Sequence, residues 1–196
     1  MFTMVSLDGY FEGLNHELDW HHVDAEFHDF AAAQLRAADL LLFGRKTYEL
    51  MARYWPTEIA RQRDPQIAAL MNAKPKLVVS TTMGAAGWQN TRLMGDLQAL
   101  KAQPGGEVLV LGSNQLSVAL IEMGLLDEVR LMVAPVAIGQ GHSLFTGLSR
   151  RLKAQLAESR PFSSGNLLLT YQVRPEAGAT IVVASSGGLS AAFPQA

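Results

Sequence analysis

Leu40-Leu41-Leu42-Phe43-Gly44-Arg45-Lys46-Thr47 is the stretch on which the reading of this chain turns. Consecutive large apolar residues without polar alternation describe a strand buried on both faces, and such strands belong to parallel sheets covered by helices. Gly44 closes the strand. Lys46 to Tyr54 follows as a helix that must stop before Pro56, because the residue preceding a proline is pushed out of the α region. A strand, a glycine and a helix start within eight residues predict an α/β unit with its turn at the carboxyl end of a strand.

The same pattern continues on both sides. Upstream, Phe2 to Leu7 reads as a strand ending at Asp8-Gly9. Ala25 to Ala37 reads as a helix with Phe27, Phe30, Ala31 and Leu35 on one face. Downstream, Pro65 to Asn72 is helical, with Pro65 suited to a first turn. Leu77-Val78-Val79 is a strand, Met94 to Ala102 a helix, and Val108 to Leu111 a strand that ends at Gly112. Ser113 to Met123 carries an apolar stripe (Leu116, Ala119, Leu120, Met123) and Gly124 as its C-cap. Val129 to Val133 is a further strand, and Gln155–Ser159 with Leu167–Val173 forms an antiparallel hairpin. The predicted fold is α/β: a three-layer α/β/α sandwich around a mixed, mostly parallel sheet that finishes in that hairpin.

A chain of 196 residues favours one domain. Residues 1–173 hold the pattern. Residues 174–196 are rich in Gly, Ala and Ser, carry Arg174 and Glu176 as their charges, and read as an extension. Within it Thr180-Ile181-Val182-Val183 offers a strand to a sheet, its own or a partner's. The absence of cysteine excludes disulfides, thiolate metal sites and a cysteine nucleophile. Net charge is −2 with no long basic run, which argues against nucleic acid as a partner. No apolar stretch approaches the roughly 18 residues of a membrane helix, and the first residues lack the charge and length of a secretion signal. A cytoplasmic protein without membrane attachment is expected.

Ligands of open α/β sheets sit beyond the carboxyl ends of the strands, and three such ends carry suitable residues. At Gly44-Arg45-Lys46-Thr47 a glycine permits close backbone approach, a helix amino end offers free N–H groups, and two cations add charge for a phosphate. The same residues also suit a plain strand-to-helix turn. Ser80-Thr81-Thr82 supplies hydroxyls for a ribose phosphate or for capping a turn. Gly112-Ser113-Asn114-Gln115 repeats the strand, glycine and helix-start arrangement. There is no GxGxxG fingerprint; the weight lies on three candidate phosphate contacts together. His16, His21, His22 and His28 cluster in sequence, and Asp24 shares a helix face with His28. A metal-dependent hydrolase is the reading this invites. No HExxH or GxSxG spacing supports hydrolysis, and no metal is expected.

Ser6-Leu7-Asp8-Gly9, Asp19-Trp20, Gly44-Arg45-Lys46-Thr47-Tyr48-Glu49, Ser80-Thr81, Gly112-Ser113 and Pro135…Gly139-Gln140-Gly141…Leu144-Phe145 occur in this order. The series resembles the dihydrofolate reductase-like superfamily, and within it proteins related to the C-terminal reductase domain of riboflavin biosynthesis. The resemblance spans about Thr3 to Val173. It implies NADPH as hydride donor, a small-molecule substrate and frequently a homodimer. Carried onto this sequence, Gly44, Arg45 and Thr47 hold the cofactor phosphates, with Lys46 beside them. Ser80 and Thr81 lie near the adenosine end, and Gly112, Ser113 and Asn114 meet the pyrophosphate. Arg45 among hydroxyls suits the 2′-phosphate, hence NADPH over NADH.

Two departures leave the substrate open. The acidic, proline-containing segment and arginine that bind a ribose phosphate in pyrimidine reductases are replaced by Met51-Ala52-Arg53-Tyr54-Trp55-Pro56. The early helical carboxylate of folate reductases has only Asp24 and Glu26 as neighbours. The expected activity is an NADPH-dependent reduction of a small heterocycle of the pyrimidine or pterin class; a nucleotide-binding scaffold without efficient catalysis is the alternative. Asp8 is the candidate catalytic residue, as anchor or proton relay. Trp20, Asp24, Tyr54 and Trp55 are the candidate substrate-binding residues.

Overall fold

The structure is a computed structural model and describes residues 1–101 and 106–174. In chain order its elements are β1 (Phe2–Val5), β2 (Tyr10–Glu12), α1 (Ala25–Ala37), β3 (Leu40–Gly44), α2 (Arg45–Tyr54), α3 (Glu58–Arg63), α4 (Pro65–Ala73), β4 (Lys76–Val79) and β5 (Thr91–Met94). There follow α5 (Gln98–Lys101), β6 (Val108–Val110), α6 (Asn114–Glu122), β7 (Glu128–Val133), β8 (His142–Ser143), β9 (Ala154–Pro161) and β10 (Leu167–Val173).

Four parallel strands run in the order β5-β4-β3-β6. A second group runs β1-β7-β10-β9, with β1 parallel to β7 and β10 antiparallel to both its neighbours. A parallel bridge between Phe2 and Leu111, and a hydrogen bond from the Gly112 N–H to the Phe2 carbonyl (3.2 Å), join the groups side by side. β2 and β8 form a separate antiparallel pair. The α/β architecture with a parallel group and an antiparallel C-terminal hairpin is the one the sequence predicts.

Strand alternation explains the layers. Leu41 and Phe43 of β3 point into the core built with Leu35 of α1 and Ile67 and Met71 of α4. Leu42, on the opposite face, packs with Leu116 and Leu120 of α6. Asp24 accepts a hydrogen bond from the Phe27 N–H (2.8 Å) and caps α1, a use of carboxylate that leaves a helix donor satisfied.

The join between β3 and α2 is held by an aromatic group. Phe43, Tyr48 and Trp88 lie within 6.0–6.4 Å of one another by ring centroid. The Trp88 backbone N–H donates to the buried Tyr48 hydroxyl (2.9 Å). This group locks the first turns of α2 onto β3 and thereby sets the direction of the Gly44 turn.

One expected element differs. The helix predicted from Met94 to Ala102 is confined to Gln98–Lys101, and Thr91–Met94 instead pairs along β4 in the register Lys76↔Thr91 to Val79↔Met94. An open parallel edge supplies backbone partners that outweigh a weak local helix preference. Strands β2 and β8 and helix α3 are additional to those expected. The extension from 175 to 196, with the strand expected over 180–183, lies outside the described residues. Among the described residues no helix is long and apolar enough to cross a membrane.

Candidate functional site

The carboxyl ends of β3, β4 and β6 open into one cleft of about 980 Å³. Gly44, Arg45 and Lys46 line it from the β3–α2 turn, Ser80 and Thr81 from the end of β4, and Ser113 and Asn114 from the start of α6. The volume lies at the upper end of what ligand sites occupy, roughly 300–1,000 Å³. Three turns far apart in sequence thus form a single surface.

These turns interlock. A Cβ on Gly44 would overlap the Ser113 hydroxyl, so only glycine lets the two turns meet. Gly112, at φ +57, faces Thr47, whose methyl would lie 3.4 Å from a Cβ there. Thr47 thus faces Gly112 where the two turns meet and does not itself line the cleft. Ser113 is left-handed as well (φ 67), an uncommon state for a residue with a side chain. The two successive left-handed residues turn the chain sharply from β6 into α6, and the Gly112 N–H is held by the Phe2 carbonyl (3.2 Å). No side chain caps either α2 or α6 at its amino end, so the first-turn donors remain available.

Charge and polarity are graded along the cleft. Arg45 is held by Glu49 one turn away, its guanidinium 3.0 and 3.2 Å from the carboxylate oxygens. Both are exposed, so the pair is weak and an anion of higher charge can displace Glu49. The Ser80 hydroxyl accepts from the N–H groups of Thr82 (3.2 Å) and Met83 (3.0 Å), which shapes the turn and leaves the Thr81 side chain exposed. The Asn114 amide donates to the carbonyls of Ser143 (3.1 Å), Leu144 and Thr146 (3.3 Å) and ties the 143–146 segment to α6.

The opposite wall was not anticipated. Phe11, Glu12, His16, Gly141, His142, Ser143 and Thr146 line it, carried by the β2–β8 pair and the loop after β2. These strands are three and two residues long, too short to show periodicity. The available signal was Gly139-Gln140-Gly141: a Cβ on Gly141 would overlap the Glu12 carbonyl oxygen, so glycine permits β8 to approach β2.

The remaining candidates stand elsewhere. The Asp8 carboxylate accepts from the Ser6 hydroxyl (2.6 Å) and from the N–H groups of Gly139 (2.7 Å) and Ile138 (3.2 Å). These bonds, the Ser6 hydroxyl first, hold its pKa below the usual carboxylate value. Asp8 does not line the cleft; it anchors the turn that leads into β8. Trp20 is half-buried with its ring edge-on to His21 (4.4 Å, 90°). Tyr54 donates to Asp64 (3.3 Å), and the other Asp64 oxygen lies 3.2 Å from His28 Nδ1. Trp55 stacks edge-on with Tyr54 at 4.9 Å and reaches the Met51 sulfur through its indole N–H (3.1 Å). Trp20, Asp24, Tyr54 and Trp55 thus stand outside the phosphate-turn cleft.

Comparison with known proteins identifies the family. Residues 1–168 match the RibD C-terminal domain family. Over 173 residues the chain is 33% identical to YyaP, an uncharacterized protein of Bacillus subtilis (strain 168), covering 85% of this chain and 90% of that protein. Among solved structures, a Shewanella protein assigned by name to riboflavin biosynthesis superposes with a TM-score of 0.68 at 24% identity, covering 89% of this chain and 97% of that one. A pyrimidine reductase-like protein of Corynebacterium diphtheriae gives 0.59 at 15% identity over 89% and 91% of the two chains. RibD of Acinetobacter baumannii gives 0.58 at 15%, with 88% of this chain matched to 56% of that one. At these identities the structures establish a shared fold.

Proposed function

Because this chain belongs to the RibD C-terminal domain family, we propose that it is an NADPH-dependent reductase acting on a small heterocycle of the pyrimidine or pterin class. The observation that carries this reading is the convergence of Gly44-Arg45-Lys46, Ser80-Thr81 and Ser113-Asn114 on one cleft. The residues suit a dinucleotide phosphate. Gly44 lets the β3–α2 turn close on Ser113, the first-turn N–H groups of α2 and α6 have no side-chain cap, and Arg45 and Lys46 supply charge. Bound NADPH would supply the hydride. The chain's own part is to neutralise and orient the phosphates and to shape the pocket around the substrate.

On this reading the substrate lies toward the amino end of α1 and the carboxyl end of α2. Tyr54 and Trp55 supply aromatic surface at the end of α2, and Trp20 and Asp24 stand in the chain just ahead of α1. Asp8 acts through the turn it anchors. A homodimer belongs to the same proposal: the outer edge of β9 pairs with no strand among the described residues, and an uncovered edge of this length is a pairing surface.

Titration of the protein with NADPH and NADH tests the reading. NADPH is expected to bind more tightly, and Arg45→Ala to weaken NADPH by about 10–100-fold, the worth of a charge-assisted contact to phosphate. NADH affinity should change much less. Equal affinity for the two cofactors, or an unchanged mutant, would refute the assignment. Asp8→Asn is expected to lower turnover while NADPH affinity stays nearly intact, since Asp8 shapes the turn before β8 and touches none of the phosphate turns. Steady-state rates alongside cofactor titration check this; a loss of cofactor affinity would place Asp8 in the phosphate machinery. Cofactor binding without turnover on any pyrimidine or pterin substrate would favour the scaffold alternative.

A further inference from the structure

The geometry points to a divalent-metal site on the wall facing the phosphate turns, built from Glu12, His16 and His142 for an ion of the zinc class. Glu12 Oε1 lies 2.7 Å from His16 Nδ1 and 3.1 Å from His142 Nδ1. The candidate ligand atoms all lie within 4.8 Å of one another. Ligands around a tetrahedral zinc ion at about 2.0–2.2 Å stand about 3.4 Å apart, so side-chain movements of about an ångström complete the set.

Each member is placed by backbone. Glu12 and His142 are cross-strand partners in the β2–β8 pair, and Gly141 permits the close approach of those strands. His16 is left-handed (φ 66), its N–H bonded to the Gly13 carbonyl (3.1 Å). The Glu17 carboxylate grips the Asn15 N–H (2.9 Å) and side-chain amide (2.7 Å), which fixes the turn that presents His16. A strained residue held this firmly is a reason to look for function. The two imidazoles stack at 5.2 Å and 24°, both presenting Nδ1 to the same carboxylate oxygen. His142 Nδ1 is buried and makes no hydrogen bond, despite its 3.1 Å separation from that oxygen. His16 Nδ1 thus hydrogen-bonds the Glu12 oxygen (2.7 Å), while His142 Nδ1 is turned to the same point and left unsatisfied.

Two imidazoles and a carboxylate suit zinc, cobalt or nickel, and the chain has no cysteine to compete. Three protein ligands leave the fourth position open, here toward the cleft shared with Arg45, Ser80 and Ser113. An oxygen of a bound ligand can occupy it. The histidines that cluster in sequence do not assemble: His28 pairs with Asp64 and His21 packs against Trp20, so only His16 joins, and its partner comes from far down the chain.

The test uses the full chain, stripped with chelator and free of nucleotide, so its failure leaves the cofactor proposal untouched. Cobalt is titrated by its visible absorption and zinc by calorimetry. One equivalent of saturable uptake is expected. His16→Ala and His142→Gln should each weaken it by about 100-fold or more, since even the loss of an outer-shell partner costs 10–100-fold. His22→Ala should leave uptake unchanged, and thermal unfolding should confirm that all variants are folded. Absence of saturable uptake by the unmodified chain overturns the site. So does uptake that persists in a His16→Ala/His142→Gln double variant, which would put the ion elsewhere.

Discussion

Phe43→Ala is expected to cost about 3–5 kcal/mol of folding stability. Phe43 has no exposed surface and sits at the end of β3, one residue before the Gly44 turn. Its ring meets Tyr48 at 6.4 Å and Trp88 at 6.1 Å, so truncation removes contacts on two sides and leaves a void that the sheet backbone is too rigid to close. Total stabilities of about 5–15 kcal/mol make this loss a large share of the whole. The side chain points toward α1 and α4, whereas the cleft opens on the opposite face beside Val79, Leu97 and Leu116. Urea unfolding of Phe43→Ala and of Phe43→Leu, which leaves a smaller void and should lose less, measures the effect. A loss below about 1 kcal/mol would mean that the site reorganises around the gap.

Folding stability is also expected to fall by about 2–3 kcal/mol as pH drops from about 6.5 to about 4, through His21. Burial pushes this imidazole from 6.5 down to about 4. Its Nε2 is buried without a partner, so nothing compensates a charge there. Between the two values the unfolded chain binds a proton that the folded chain refuses. The stabilisation is therefore complete above about 6.5 and is lost progressively toward 4. The N-terminal amine, lowered by burial from 8.0 to about 6, acts by the same sign in the window above. Asp8, Glu17, Glu26 and Glu122 are all held below their ordinary values, so their contributions are lost only at more acidic pH, once the carboxylate range is reached. His21→Phe keeps an aromatic ring against Trp20 and should flatten the slope between pH 6.5 and 4.5. An unchanged slope in urea titrations across that window would show that another group carries the dependence.

The strand-to-helix turns were legible because each is encoded within a few adjacent residues. Gly44-Arg45-Lys46-Thr47 and Gly112-Ser113 carry their own conformational signals, and both turns meet in the cleft. Thr47 reads as a phosphate contact in sequence, yet it faces Gly112 and does not line the cleft; that placement exists only once the two turns meet. Asp24 and Asp8 were legible as polar residues at strand and helix ends. Their hydrogen bonds, to Phe27 across one turn and to Ile138 and Gly139 across most of the chain, are set at very different ranges. The strand β5 and the β2–β8 pair were illegible for one reason: a short strand is defined by its partner and has too few residues to display a period.

Local sequence thus determined the burial of β3, β4 and β6, the sandwich that such strands require, and the glycine turns at the carboxyl ends of β3 and β6. Apolar periodicity and left-handed glycines act over a few residues and need no distant partner. The tertiary structure alone decided that three turns share one cleft, and that Glu12, His16 and His142 face it from the other side. Those juxtapositions depend on strand order and on the approach of β8 to β2, and pairings across more than a hundred residues leave no periodic trace in the chain.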